Sequence, residues 1–562
     1  MSAAIAVEPD LILHDAVVLT MDPALPNASA VAVAGDRILE VGSDADVLAL
    51  AGGGTKIVDL NGLTLLPGFI DSHAHWIGDR GLYGVPSAHR AIQLALEGGW
   101  TSLNEQFVNQ DRLDELQSLD AEGDLRVRVN GYLPVNYADQ RFGMWFKDHV
   151  PGQQLGPLFR LAGVKFFIDG CGPSGMYLSE PNRDTGELGE VYWTRPELTR
   201  LVDKVHRAGW QISAHACGDG AVDRILWALR QALDGDRTAR PRIEHAIVVR
   251  DDQLKRMRRL GISPSFQLTF CDSARWFRDM RRAFDRDRLG FVCRWRDMAG
   301  DPRLHAIGST DSPYGEGPLH PTSAMQALLE GTTRIGKPGQ EPPPWLRRQR
   351  LTLEQALRLL TTSGARGIFA EDQLGAIAPG MLADLVVLSE DPRTVPLDRL
   401  DRIEVAMVFV GGALQVCAPG YESICPGLPF VSLGRIRVRA SNTLGSNPVR
   451  WAVDGDASTW WSAGLSAPQW FELDLREEVS LGRIKLRVAQ SPAGQTTHLV
   501  WGKGGDPGDQ YTLLHTFSGV TADLDTLRHR FSPEVGGIRY LMIETTESPS
   551  WIAWREITLE TA

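Results

Sequence analysis

The sequence predicts an α/β protein: a (β/α)8 barrel, a small composite β-sandwich contributed by both flanks of the barrel, and a C-terminal antiparallel β-sandwich of jelly-roll type. Three observations carry this prediction. Eight short apolar runs recur between about residues 66 and 307 with helical stretches interposed, the pattern of strands buried on both faces of a parallel sheet. Short β-rich runs bounded by turn residues stand both before and after that region. From residue 431 onward the texture changes to alternating strands, and this stretch holds seven of the 16 tryptophans. A chain of 562 residues is too long for one hydrophobic core. The predicted division is 1–65 with 366–418 for the composite sandwich, 66–365 for the barrel, 419–430 for a linker and 431–562 for the last domain.

Taken in order, Asp10–Val18, Ala30–Ala34, Arg37–Val41 and Ile57–Leu60 read as strands between Gly, Asp and Pro punctuation, and Ala383–Leu388, Val405–Val410 and Leu414–Val416 repeat the pattern late. The barrel runs are Leu66–Ile70, Trp100–Leu103, Leu125–Val129, Leu161–Ile168, Gln211–Ala214, Arg242–Glu244, Gly261–Phe266 and Leu304–Ile307. Thr352 to Gln355 spells a capping box that opens an amphipathic helix. The Pro- and Gly-rich stretch Ala418–Pro429 reads as the linker, and Phe471–Leu475, Ile484–Val488 and Tyr540–Glu544 read as strands of the last domain.

A net charge of −12 opposes phosphate-backbone binding, which removes nucleic acid as a partner. No apolar run reaches the length of a membrane span, and the first ten residues lack the basic start of a signal peptide, so the expectation is a soluble cytoplasmic protein with no membrane partner. The six cysteines contain no C-x-x-C pair and are sparse for this length, so no disulfide framework is expected.

His73 and His75 lie two apart directly after the first barrel run, so on an extended segment both imidazoles project to one face. His215, His245 and Asp311 each follow the end of a later run. In a (β/α)8 barrel those strand ends converge on one pocket. Nitrogen and carboxylate donors suit a borderline ion such as zinc, and four His with one Asp exceed the needs of one tetrahedral ion. Two divalent metals need a bridging ligand, and Lys165, inside the otherwise apolar A-G-V-K-F-F-I, is the candidate. A buried ammonium is costly, whereas a lysine carboxylated by CO2 supplies a carboxylate. The alternative is an ion pair of Lys165 with Asp169 or Glu244. Trp76, Asn104, Tyr132, Cys171 and Gln267 stand near strand ends and are candidates for lining a small-molecule substrate pocket. Asp219 and Glu244 read as groups that orient loops or ligands, and Cys171 and Cys217 also read as ordinary packing residues.

Together L-P-G-F-I-D-S-H-A-H, G-V-K-F-F-I-D-G, H-A-C-G-D, R-I-E-H-A, G-S-T-D-S-P and G-A-I-A-P-G-M-L-A-D-L-V-V-L resemble the metal-dependent amidohydrolase superfamily, in particular its family 3 branch with N-substituted formamide deformylases and N-acyl amino-acid deacylases. The resemblance covers about residues 8–418. It implies that His73 and His75 hold one metal ion and His215 and His245 a second, with carboxylated Lys165 bridging and Asp311 contacting the first. It further implies hydrolysis of an amide-type C–N bond (N-acyl, N-formyl or cyclic amide), Asp311 taking the proton from the attacking water and returning it to the leaving nitrogen. Only about ninety residues separate H-x-H from the lysine, whereas formamide-deformylase-like members carry a long insertion there. Deaminases of the superfamily place H-x-x-E after the fifth strand. Here Gly218 occupies that last position, which disfavours deamination.

In the last domain, A-V-D-G-D-A-S-T-W-W-S, P-Q-W-F-E-L-D-L and I-A-W-R-E-I-T-L resemble discoidin (coagulation-factor C-type, galactose-binding-like) sandwiches over about residues 432–562. That likeness implies a calcium site from Asp454, Asp456, Thr459 and Glu556, and a carbohydrate ligand or a role in homo-oligomerisation. Two further functions compete with amide hydrolysis. One uses the same metal site for ester or lactone hydrolysis, decarboxylation or C–C cleavage, and the other is a carbohydrate-binding protein with a vestigial barrel.

Overall fold

Eight parallel strands follow one another in the computed structural model: β1 (Phe69–Ala74), β2 (Trp100–Glu105), β3 (Arg128–Pro134), β4 (Phe159–Phe167), β5 (Gln211–Ala216), β6 (Arg242–His245), β7 (Ser263–Gln267) and β8 (Ile307–Ser309). The structure describes residues 8–85, 87–270, 273–315, 321–336, 341–425, 436–454 and 459–561. Each strand pairs in parallel with the next, in the order of the chain. The ends of β8 and β1 come together just past their regular pairing, where Asp311 N–H donates to His73 O and His75 N–H to Ser312 O, both at 2.8 Å. The fold class is therefore that of a (β/α)8 barrel, closed at the end where the His and Asp residues stand.

All eight predicted runs contribute barrel strands, with shifted bounds. The first run divides: Thr64–Pro67 belongs to a flanking sheet, and the barrel strand begins only at Phe69. Pro67 and Gly68 make the break, and at Gly68 the backbone passes so close to β2 that a Cβ there would stand 2.1 Å from Thr101 Oγ1. The Thr352 capping box forms, with Thr352 and Gln355 exchanging side-chain to backbone hydrogen bonds.

Two sheets flank the barrel in sequence. One comes from the N-terminal segment alone: Arg37–Gly42, Ala30–Ala34, Leu11–His14 and Lys56–Asp59. The other mixes both flanks, in the order Ala413–Cys417, Val405–Val410, Leu385–Leu388, Thr64–Pro67, Val17–Leu19 and Asn27–Ala28, with Leu385–Leu388 antiparallel to Thr64–Pro67. The single run read from Asp10 to Val18 is two strands in different sheets, because Asp15 takes a left-handed φ of 50° and turns the chain.

By compactness the chain divides into Met1–Tyr83 with Ala91–Ile424, and Gly84–Arg90 with Cys425–Ala562. In the second unit the strands run antiparallel in the order Trp461–Ser462, Ala553–Thr561, Gln469–Val488, Thr526–Glu547, Gly494–Lys503 and Thr512–Thr521, with Arg437–Ala440 added alongside Gln469–Val488. The separate strands read at Phe471–Leu475 and Ile484–Val488 are one continuous strand, whose register shifts between Asp474 and Arg483 bend it. Its core gathers Trp461, Phe471, Leu473, Ile484, Leu486, Ile543, Trp554 and Ile557, all buried.

Cys417 and Cys425 are disulfide-bonded, one local bridge that the expectation of no framework did not foresee, while Cys171, Cys217 and Cys293 are thiols. Sparse cysteines exclude a framework but say nothing about a local link, and turns at Ala418–Tyr421 and Tyr421–Ile424 fold the intervening segment. Part of the predicted linker, 426–430, lies outside the described residues, and among the described residues no helix is long and apolar enough to cross a membrane.

Candidate metal centre

Alternation along each strand decides which side chains meet inside the barrel. On β1 it sends His73 inward, and on β5 it aligns Ser213, His215 and, just past the strand end, Cys217. Lys165 on β4 and Arg242 and Glu244 on β6 are likewise completely buried. His245 follows Glu244 directly, and adjacent strand residues ordinarily face opposite ways. A φ of 72° at His245 and 45° at Ala246 breaks that rule, and Asp311 adopts a φ of 61° at the end of β8. Left-handed backbone at non-glycine residues costs of order 1–3 kcal/mol each and persists where the surroundings impose it, most often at functional sites.

The result is one buried cluster. His73 Nε2 and His75 Nε2 lie 3.3 and 3.4 Å from Asp311 Oδ1, and His245 Nδ1 lies 3.9 Å from Asp311 Oδ2. Lys165 Nζ is 3.3 Å from His73 Nε2. The His245 ring stands 4.9 Å from that of His73 and 4.3 Å from that of His215, linking the two sides. Two ligand-like groupings result: His73, His245 and Asp311, and His215, Cys217 and His245. All six residues singled out for a metal site, His73, His75, Lys165, His215, His245 and Asp311, are thus in this one cluster.

Hydrogen bonds settle which nitrogens are bare. Glu244 Oε2 accepts from His73 Nδ1 at 2.8 Å and Gln267 Oε1 accepts from His245 Nδ1 at 2.7 Å, which turns the Nε2 lone pair of each ring the other way. Glu244 is itself held by Arg242, with Nε at 2.8 Å, and by the Ser213 hydroxyl at 2.9 Å. Burial, reinforced by Lys165, holds His73 well below the ordinary imidazole pKa. Burial pulls His75 down to about 3, and His215 and His245 lie well below their usual range for the same reason. These are neutral imidazoles. Arg242 is the main attraction that keeps the buried Glu244 carboxyl well below its usual range, against the cost of burial. Asp311 is pushed well above its range by burial, and Lys165 falls to about 8 for the same reason.

Asp311 Oδ1 has no hydrogen-bond partner although it is buried, and the groups facing it are imidazole nitrogens. A carboxyl oxygen without a hydrogen-bond partner, buried among imidazole nitrogens, is an arrangement that a cation completes. The spacing agrees: tetrahedral zinc with nitrogen and oxygen ligands at about 2.0–2.2 Å sets them about 3.3–3.4 Å apart. The donor set fits a divalent metal ion.

Asp169 governs the turn after β5, accepting from Cys217 N–H at 3.0 Å, Gly218 N–H at 2.8 Å and Tyr177 N–H at 3.0 Å. Gly218 has no room for a side chain, since a Cβ there would meet Tyr177 O at 2.0 Å. The glutamate that deaminases use at this place cannot be accommodated.

The residues assigned to substrate are mostly framework. Tyr132 is a correction: its buried hydroxyl donates to Gln211 Oε1 at 2.7 Å and accepts from Arg242 at 2.9 Å, beneath the cluster and not at its opening. Trp76 Nε1 donates to Asp71 at 3.0 Å, Asn104 donates to Ser72 O at 3.1 Å, and Gln267 orients His245; all three are buried. Cys171 is exposed, with Sγ 3.6 Å from Cys217 Sγ. In the C-terminal unit, the Thr459 hydroxyl donates to Asp454 at 2.9 Å, Glu556 stands on the strand Ala553–Thr561 opposite Arg487, and Asp456 lies outside the described residues. Sequence reasoning passed over Arg242, while Glu244, read as an orienting group, does hold His73 by its Nδ1. The alternation R-x-E on a strand was the available signal.

A parallel barrel with a histidine, lysine and carboxylate cluster at its closed strand ends defines a class, the barrel hydrolases that work with metal ions. This chain belongs to the amidohydrolase family, whose profile matches residues 87–416, and it carries an F5/8 type C domain over residues 437–557. Among curated proteins it is 25% identical over 521 residues to Protein LONG AFTER FAR-RED 3 of Arabidopsis thaliana, covering 68% of this chain and 87% of that one. It is also 25% identical over 265 residues to N-substituted formamide deformylase of Arthrobacter pascens, covering 46% of each, so the chain spans about half the length of that relative. Its fold is shared with the crystal structure of an uncharacterized metal-dependent hydrolase from Pyrococcus horikoshii, at a TM-score of 0.58 and 23% identity over 69% of this chain and 99% of that one.

Proposed function

We propose that the protein is a metal-dependent hydrolase that cleaves an amide-type C–N bond, N-acyl, N-formyl or cyclic amide, in a small molecule. The observation that carries this reading is the buried Asp311 carboxyl, whose Oδ1 has no hydrogen-bond partner and lies 3.3 and 3.4 Å from Nε2 of His73 and of His75. Bound divalent ions supply Lewis acidity and a water of lowered pKa. His73, His75 and Asp311 would hold one ion, and His215 and His245 the other.

The chain's own groups account for the rest. Glu244, clamped by Arg242 and Ser213, fixes His73 by its Nδ1, and Gln267 fixes His245 in the same way. Asp311, whose pKa burial raises, takes a proton from the attacking water and passes it to the leaving nitrogen. A Lys165 amine with a pKa near 8 is neutral in a useful fraction near neutrality. Such an amine adds to CO2, forming an N–C bond and releasing one proton, and the carbamate on Lys165 would help hold the two ions. The relationship to a protein named for formamide deformylation supports the bond class.

The test is elemental analysis of the purified full chain combined with turnover of a panel of N-acyl, N-formyl and cyclic amides set against esters and lactones. Bound zinc with amide hydrolysis that chelation abolishes is the expected result. Activity confined to esters, or full activity after chelation, overturns the reading.

A further inference from the structure

His215 and Cys217 repeat the spacing of His73 and His75 on the opposite side of the cluster. Two residues apart at a strand end, each pair projects to one face. Cys217 is completely buried, and its backbone is pinned by Asp169, so its thiol has a defined position. Its Sγ lies 3.4 Å from His215 Nε2. Ligand atoms of His215, Cys217 and His245 all fall within 4.8 Å of one another. With zinc–sulfur near 2.3 Å and zinc–nitrogen near 2.0–2.1 Å, tetrahedral coordination sets sulfur and nitrogen about 3.5 Å apart. The observed 3.4 Å, a thiol–imidazole hydrogen bond without an ion, is close to that separation, so both atoms reach one ion with little movement. The same His215 Nε2 also lies 3.5 Å from Asp169 Oδ1.

We infer that Cys217 is a metal ligand, so that His215, His245 and Cys217 form a nitrogen–sulfur position beside the nitrogen–oxygen position of His73, His75 and Asp311. On binding, the thiol loses its proton to solvent and the sulfur bonds the metal; no oxidant or reductant takes part. The two positions then differ in softness: the sulfur-bearing one selects zinc, cobalt or cadmium and rejects magnesium and manganese. Cys171, exposed and 3.6 Å from Cys217 Sγ, stands at the outer edge of this position and is the competing thiol.

The inference rests on the proposed metal-dependent function, and cobalt separates the two. Full-length protein, stripped by a chelator and kept reduced, is titrated with Co(II) while cobalt content and the near-ultraviolet spectrum are recorded. A thiolate-to-cobalt charge-transfer band is expected in the parent and in Cys171→Ser, and its loss in both Cys217→Ser and Cys217→Ala, with one of two cobalt equivalents released. Two bound cobalt ions without the band overturn the Cys217 assignment and leave the metal site standing. A band that survives Cys217→Ser, or disappears with Cys171→Ser instead, also overturns it. No bound cobalt in the parent overturns both readings.

Discussion

Inside the barrel, the side chains that point inward near the strand ends are His73, Lys165, His215, Glu244 and Asp311, all buried and each within reach of a group on another strand. Inside the C-terminal sandwich the inward positions belong to Trp461, Phe471, Leu473, Ile484, Leu486 and Trp554. Both interiors come from strands that alternate inward and outward. The sandwich holds together by removing apolar surface from water, at about 25 cal/mol per Å2. The barrel end gives up that gain and buries ionisable groups, which is costly unless they are paired or coordinate a metal. A fold retains such a cluster where it does chemistry, so the same strand geometry yields a site in one unit and a plain core in the other.

Substitutions in the two units should therefore separate in kind. The largest effect belongs to Asp311→Asn, which removes the proton carrier and should lower turnover about 10²–10⁴-fold while leaving the circular dichroism spectrum unchanged; near-normal turnover breaks the comparison. Trp461→Ala should destabilise the sandwich by about 3–5 kcal/mol, seen as an earlier denaturant midpoint, without altering kcat of protein that remains folded. A fall in kcat matching that of Asp311→Asn would show that the two units are not distinct in role.

A smaller difference should appear with pH. His498 is buried in the sandwich beside Trp554, and burial lowers its pKa to about 4 from 6.5. The unfolded chain takes up this proton first, so the contribution is present above pH 6.5 and is lost as pH falls toward 4, about 3 kcal/mol in all. Denaturant midpoints between pH 7 and 4 should fall on this account, and the fall should flatten in His498→Leu. The smallest expected effect is Glu244→Gln: loosening His73 should weaken metal retention about 10- to 100-fold against a competing chelator, with the fold intact.

Much of the barrel was legible because buried parallel strands leave apolar runs, and eight such runs are hard to produce otherwise. The H-x-H pair was legible because a strand's period of two makes that spacing meaningful. The strand bounds were less so: Leu66–Ile70 hides a break at Pro67–Gly68, since apolar content does not reveal which sheet a residue joins. Tyr132 was misplaced because nearness to a strand end does not say whether a hydroxyl faces the opening or, as here, Gln211 and Arg242 below. The disulfide at Cys417 and Cys425 was missed because pairing depends on a turn and not on a count.

Determined by sequence alone were the donors and their rank along the chain: which His, Lys and Asp residues follow which apolar run. That much follows from local periodicity. Tertiary structure decided what the donors face. Glu244 fixes the proton of His73, Gln267 fixes that of His245, and Cys217 stands against His215. These are contacts between strands or around a turn, set by barrel closure and by left-handed backbone at His245 and Asp311 that no residue pattern announces. The direction of a lone pair depends on its partner, and partners far apart in the chain meet only once the barrel has closed.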